Sequence, residues 1–196
     1  FSKSIVYDFD REAKKRNINF TLETDNEELE IYLDRNLMDK VYFNLLSNAF
    51  KFTPINGKIS IAIKEVKIDN VVKISFKDSG IGIPVNEFKD VFSAFYQGSN
   101  NYRNSSGIGL HLSKKFIELH FGSIEINSKN GTEFTVILPL GKNHLNQDSI
   151  ISEPVFKSNY QTDYLDLEVI QSRDQNNNED KYSVLYIEDN KELLDF

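Results

Sequence analysis

The chain reads as an α+β domain, with helices interspersed among the strands of a mostly antiparallel sheet, followed by a polar tail. Three observations carry this. Helical and strand periodicities are mixed along the chain instead of recurring as regular strand–helix units, which argues against a doubly wound sheet. Two pairs of strand-like segments are separated by short turn sequences, Asp69-Asn70 and Lys129-Asn130-Gly131, that return the chain antiparallel. One long helix, within DKVYFNLLSNAFKFTP, carries an apolar face beside a line of polar residues.

Taken in order, residues 4–15 read as a short helix, and strands follow around Asn19–Glu23 and Glu30–Asp34. The polar-striped helix runs from Arg35 to Phe52, where Pro54 and Gly57 stop it. Lys58–Val66 and Val71–Phe76 alternate in the manner of strands. Val85–Val91 reads as a short helix with Pro84 at its start. Gln97–Ser106 has no hydrophobic period. A helix then spans Gly107 to Gly122, and Ser123–Asn127 with Thr132–Leu138 forms the last hairpin.

After Pro139 the character changes. Residues 141–181 hold eight acidic and four basic groups without an apolar period, the pattern of a linker. Within it, Tyr164–Ile170 alternates apolar and polar residues, a pattern suited to docking on a neighbouring surface. YSVLYI at Tyr182–Ile187 then resumes as a strand and ends in Glu188-Asp189. A lone strand cannot bury itself, so residues 182–196 read as the truncated start of another domain and are expected to seek a sheet edge. The opening FSKSIVYDFDREAKK likewise reads as the inside of a longer protein.

Composition narrows the function. With 39% hydrophobic residues, 15 Phe and 9 Tyr, the 196-residue chain can fill a core. The absence of Cys excludes a disulfide framework and any thiolate site. No apolar run approaches the ~20 residues of a membrane helix. A formal charge of −7 argues against broad binding to nucleic acid, while leaving room for a local anion pocket.

Asn44, Asn48 and Lys51, spaced by four and three, fall on one stripe of the long helix with Lys40 and Ser47 beside them. Val41, Leu45, Ala49 and Phe52 fall on the adjoining apolar face. Carboxamide oxygens can coordinate a hard cation such as Mg²⁺, and a lysine meets phosphate as a point charge. The stripe is therefore either a site for a metal-bound polyphosphate or the solvent side of an amphipathic helix. Asn is a poor mid-helix residue, which favours the first reading.

Asp78-Ser79-Gly80-Ile81-Gly82-Ile83-Pro84 follows a strand. Its glycines allow backbone to approach a flat ligand, and a carboxylate before them can accept a hydrogen bond from an exocyclic amine. A plain strand-to-helix turn fits equally well. Gly107-Ile108-Gly109-Leu110 opens a helix, where free backbone N–H groups and the dipole suit phosphate. The polar run GSNNYRNSS before it suits a lid, with Arg103 a cation for the terminal phosphate; a merely flexible loop is the other reading. No GxxxxGK[ST] motif occurs.

Together NLLSNAFKF, DSGIGIP, FSAFYQ, SGIGLHLSKKFIELHFGSI and GTEFTVILPL resemble, in order and across residues 3–140, the N, G1, F, G2 and G3 boxes of the catalytic ATP-binding domain of sensor histidine kinases. VLYIEDNKELLDF is similar to the start of a response-regulator receiver domain, whose acidic pair binds Mg²⁺. A kinase domain, linker and receiver resemble a hybrid two-component sensor of the kind common in Bacteroidetes.

The resemblance implies a two-layer α/β sandwich of the Bergerat type, a mixed sheet covered on one face by helices, with ATP between two helices and a lid. It implies that Asn48 holds Mg²⁺ with Asn44 assisting and that Lys51 contacts phosphate. Asp78 would read the adenine amine, Gly80 and Gly82 would line the adenine pocket, and Gly107 and Gly109 would cap the phosphates. Ile83, Arg103, Ile108, Leu110 and Thr132 complete the implied ATP-binding set. Phe92 and Phe95 would anchor the lid, although their spacing also fits core packing.

Gyrase and the Hsp90 chaperones, in the same superfamily, place a water-activating glutamate one turn before the metal Asn. Here that position is Asn44, which cannot take a proton, so steady hydrolysis is expected to be poor. Phosphoryl transfer would rest on positioning and charge neutralisation, with an imidazole from another domain as nucleophile. The lid motif of the family reads GxGxGL, and Ser105 stands at its first glycine, which implies altered lid closure.

His111, His120 and His144 lack the family's acceptor context, and the dimerisation segment with the acceptor histidine is absent. The implied partners are therefore that dimerisation domain of the same protein and the receiver domain, in a full-length homodimer. The chain alone is expected to bind ATP without autophosphorylating. The resemblance places it in the cytoplasm, in a protein anchored in the inner membrane. A degenerate nucleotide-binding or docking module is the alternative, and a water-using ATPase a third.

Overall fold

The computed structural model describes residues 1–98, 106–145 and 150. Helix α1 (Ser2–Lys15) leads to strand β1 (Asn19–Thr24), helix α2 (Arg35–Phe52), strands β2 (Lys58–Val66) and β3 (Val71–Asp78), helix α3 (Gly109–Leu119), and strands β4 (Ser123–Asn127) and β5 (Glu133–Pro139). The five strands form one mixed sheet in the order β1-β2-β3-β5-β4. Only β1 and β2 run parallel; β2–β3, β3–β5 and β4–β5 are antiparallel. Both predicted hairpins are present, and the β2–β3 turn closes with Asn70 at φ +52°.

Period-2 alternation directs Ile59, Ile61, Val72, Ile74, Phe76, Phe134, Val136 and Leu138 to one face, where they are buried with the helices. Helix α2 supplies Met38, Val41, Tyr42, Leu45, Leu46, Ala49 and Phe50 to that core. Its start is set by Asp34, whose Oδ1 accepts from the N–H groups of Asn36 at 2.8 Å and Leu37 at 3.1 Å.

Phe50, not Phe52, is the buried aromatic of the last turn; Phe52 is half-buried. The buried arc is broader than the sequence suggests because α1 and β1 cover the helix as well. Phe9 stacks on Phe50 at 5.3 Å and Phe20 meets it edge-on at 5.4 Å.

Two predicted elements are replaced by irregular structure. Glu30–Asp34 is not a strand. Leu29, Ile31 and Leu33 do pack against the core, which explains their alternation, but among the described residues no strand lies beside them. The backbone N–H of Asp34 goes instead to Nε2 of His120 at 2.9 Å. The Val85–Val91 helix is only a 3₁₀ turn, Val85–Glu87, followed by further turns. Bonds such as Phe88 N–H to Val85 O and Ser93 N–H to Asp90 O span three residues. Val, Asn, Phe and Asp are weak helix formers, so nothing local extends the turn.

Helix α3 begins at Gly109, two residues later than predicted, and ends in a Schellman motif. The N–H groups of Phe121 and Gly122 return to Glu118 O at 2.9 Å and Ile117 O at 3.0 Å. Phe121 takes the left-handed position at φ +57°.

The C-terminal end of α2 is held from α1's side by Arg16. Its guanidinium donates to the carbonyls of Phe50 and Thr53, complementing the negative end of the helix dipole. Arg16→Ala is expected to lower stability by about 2 kcal/mol, the scale of charge-assisted hydrogen bonds, in urea denaturation, with Arg16→Lys recovering part of the loss. An unchanged midpoint for the alanine variant would show that the helix end needs no such clamp.

Candidate functional site

Three sequence motifs meet around α2. The half-buried Asn44 donates from Nδ2 to the carbonyl of Gly109 at 3.3 Å and shares a 3.3 Å contact with Ser113 Oγ. A carbonyl can only accept, so the nitrogen must face Gly109. The stripe of α2 is thereby tied to the first turn of α3. At its other end, α2 abuts the DSGIGIP loop: a Cβ on Gly80 would lie 2.5 Å from the carbonyl oxygen of Phe52. Asn48 and Lys51 lie between these two junctions, both half-buried, and Lys51 Nζ sits 5.7 Å from the centre of the Phe52 ring.

Asp78 ends β3 and is 7% exposed. Its Oδ1 accepts from the N–H groups of Gly80 at 2.7 Å and Thr132 at 3.2 Å, while its own N–H donates to Thr132 O at 2.8 Å. Burial raises its pKa above the ordinary carboxyl value, and the hydrogen bonds from Gly80 and Thr132 oppose that rise only partly. Gly131 makes the close approach possible. It has φ +85°, and a Cβ there would fall 1.9 Å from the Asp78 carbonyl oxygen.

Gly107 lies at φ +69°, where a Cβ would press within 2.7 Å of Phe95 C and Tyr96 O. Ile108 immediately precedes α3, and Gly109 and Leu110 begin it, all half-buried. The two lid phenylalanines differ. Phe92 packs at the edge of the core, edge-on to Phe134 at 6.0 Å, with Lys114 Nζ 5.7 Å from its ring centre. Phe95 is 73% exposed at φ +63°, and it meets the glycine loop through its backbone, its N–H donating to Gly107 O at 2.9 Å. Gly82 and Ile83 line a shallow depression with the β4–β5 turn. Arg103 and Ser105 lie outside the described residues, as do residues 151–181 of the predicted linker and the segment 182–196.

The histidines have local partners. His111 Nδ1 lies 3.0 Å from Phe92 O. His120, 8% exposed, accepts from Asp34 at Nε2, which places its proton on Nδ1, 2.6 Å from Phe116 O. His144 meets Phe121 edge-on at 5.6 Å.

Sequence reasoning missed Ser113, fully buried against Asn44, and Glu87, a buried carboxylate hydrogen-bonded to Tyr96. A serine in mid-helix at a core position was the available signal for Ser113; no sequence pattern marked Glu87.

Among the described residues no three His, Cys, Asp or Glu side chains converge to hold a metal ion. The hard donors near the stripe are carboxamide oxygens, a set that fits a cation held chiefly by a ligand's phosphates and one or two side chains, the habit of Mg²⁺.

This arrangement gathers the three motifs around one helix that packs on a mixed sheet. A profile of the histidine kinase-, DNA gyrase B- and HSP90-like ATPases matches residues 33–142, and the chain belongs to that family. Within it, the domain is of the histidine-kinase catalytic type. Histidine kinase P4 of Formosa agariphila is 36% identical over 100% of this chain and 15% of its own length. Hybrid signal transduction histidine kinase D of Dictyostelium discoideum is 32% identical over 73% of the chain and 10% of its own length. The nucleotide-free catalytic domain of histidine kinase ThkA superposes with TM-score 0.64 at 32% identity, covering 70% of this chain and 90% of that one. The chain thus spans a small part of the curated relatives it matches.

The raised pKa of Asp78 has a consequence for stability. The folded state holds the proton more tightly than the unfolded chain. This group's contribution is therefore complete below the ordinary carboxyl pKa and is lost as pH rises through the raised value. Asp78→Asn keeps an oxygen acceptor for both N–H groups and removes the charge. Its urea midpoint is expected to fall less than that of the parent as pH rises from the ordinary carboxyl pKa through the raised one; equal slopes would mean the carboxylate is not strained by burial.

Proposed function

We propose that this chain is the ATP-binding catalytic domain of a hybrid sensor histidine kinase, handing the γ-phosphoryl group of ATP to a histidine on a dimerisation domain of the same protein. The observation that carries the reading is the bracketing of the Asn48–Lys51 segment by the Asn44–Gly109 and Phe52–Gly80 junctions. This brings a phosphate-type helix start, a carboxamide donor, an ammonium and the Asp78 loop to one helix. Similarity to one histidine kinase over the whole chain supports the kinase part of the reading.

Asp78 would accept the 6-amino group of adenine, and Thr132, which shares its carboxylate, would hold that carboxylate in orientation. Gly80, Gly82 and Ile83 would flank the base. Lys51 and the N–H groups at Gly107–Leu110 would meet the phosphates, with Arg103 reaching the terminal one. Asn48 would hold Mg²⁺, which when bound offsets the charge of the triphosphate.

Asn44 is committed through Nδ2 to α3 and offers no carboxylate to deprotonate water. The reaction it permits is attack by an imidazole nitrogen on the γ-phosphorus, with the bond to the bridging oxygen breaking and ADP leaving. Full-length protein would be a homodimer anchored in the inner membrane, with this domain in the cytoplasm and a receiver domain, begun at residues 182–196, as the next phosphoryl acceptor. A response regulator accompanies ThkA in a solved complex that superposes with TM-score 0.61 at 33% identity.

Calorimetric titration of MgATP is expected to give micromolar-range affinity, no heat with GTP, and at least about tenfold weaker ATP binding for Asn48→Ala, which loses a metal ligand. Steady hydrolysis by the chain alone is expected to be negligible. Phosphotransfer is expected once a histidine-bearing dimerisation domain is supplied. A folded sample that binds no ATP would overturn the reading.

A further inference from the structure

We propose that Ser128 is a positioning residue that pins the Gly82–Ile83 segment of the loop that follows Asp78 and so supports the preference for a 6-aminopurine. The inference deepens the ATP reading and rests on it. Ser128 directly follows β4 and opens the turn to β5. Its hydroxyl donates to Gly131 O at 2.8 Å and accepts the N–H of Ile83 at 2.7 Å. Both of its hydrogen-bonding directions are therefore used on backbone, one within the turn and one across to the loop, beside an open depression of about 380 Å³ that is lined by neither Asp78 nor Thr132. Ile81 to Pro84 form one wall, and Ser128, Lys129 and Gly131 the other.

Those walls are the loop that follows Asp78 and the turn that presents Thr132. Near Asp78 they are joined by the paired bonds between Asp78 and Thr132. Further along the loop, among the described residues, the Ser128 hydroxyl provides the only hydrogen bond from Ile81–Pro84 to the turn. The fit there is tight: a Cβ on Gly82, at φ +75°, would fall 2.7 Å from Ser128 Oγ and 3.3 Å from Gly131 O. A two-point frame of this kind holds both the carboxylate and the facing glycine wall. Release of the Ser128 end lets the Gly82–Ile83 wall move away, while Asp78 keeps its own bonds. A planar base resting on Gly82 and Ile83 would then lose that support and its amine would lose register with Asp78.

Replacing the serine also leaves the Ile83 N–H and the Gly131 carbonyl without this partner. Some loss of stability is therefore expected whatever the functional role, and the test must read selectivity. Affinities for ATP and for purine riboside triphosphate, which lacks the 6-amino group, are measured by calorimetry with the full chain. The parent is compared with Ser128→Ala and with the size-matched pair Ser128→Thr and Ser128→Val. The parent is expected to prefer ATP. Ser128→Ala and Ser128→Val are expected to cut that preference about tenfold, the scale of one lost hydrogen bond, and Ser128→Thr to retain it.

Variants that melt earlier but keep the parent's ratio would overturn the inference and leave the ATP reading standing. So would Thr and Val variants with the same ratio. A folded parent that binds neither nucleotide, or both equally, would overturn the adenine reading and this inference together.

Discussion

Helix α2 must satisfy two demands on one cylinder, and the rest of the domain is arranged around that constraint. Seven of its side chains, from Met38 to Phe50, are buried between the sheet, α1 and α3. The adjoining stripe, Asn44, Ser47, Asn48 and Lys51, stays polar and half-buried, as the proposed nucleotide role requires. Burial of the first face fixes the rotation of the second, because 3.6 residues per turn leave no freedom to adjust them separately. Sheet residues such as Ile61 and Phe76 therefore position Asn48 and Lys51 as surely as any direct contact. Tyr42 illustrates the depth of that burial: it lies edge-on to Phe76 at 4.8 Å, and desolvation lifts its hydroxyl pKa to about 12.

The middle and the C-terminal end of the same helix make the contacts with the two glycine motifs. Asn44 reaches α3, and Phe52 abuts Gly80. Arg16 and Asp34 cap the C- and N-terminal ends from neighbouring segments. His120 adds a link from the end of α3 back to the start of α2 through Asp34. Few of these links are apolar. Hydrophobic burial gives the helix its place, and directional hydrogen bonds to backbone give the site its alignment. Ser113 and Ser128 follow that division: the hydroxyl of each joins two segments distant in sequence.

Much was legible in the chain itself. The helix of the NLLSNAFKF segment, the β2 and β3 strands and the final hairpin follow from local periodicity and turn residues, and all appear close to their expected limits. The DSGIGIP and GIGL motifs were visible because glycine at such spacings signals close backbone approach. The alternation of Glu30–Asp34 misled because partial burial imitates a strand without a strand neighbour. Val85–Val91 misled because a proline start does not guarantee a helix when the residues after it are weak helix formers.

By itself the sequence determined which residues could form each element and which motifs could bind a nucleotide, since both depend on interactions within a few residues. Tertiary structure alone decided that Asn44 faces Gly109 and Ser113, that Asp78 shares its carboxylate between Gly80 and Thr132, and that Phe50 displaces Phe52 from the core. It also decided the parallel pairing of β1 with β2. Each of these joins segments that local periodicity treats separately. Their geometry exists only once the apolar face of α2 has settled on the sheet and brought those segments within hydrogen-bonding distance.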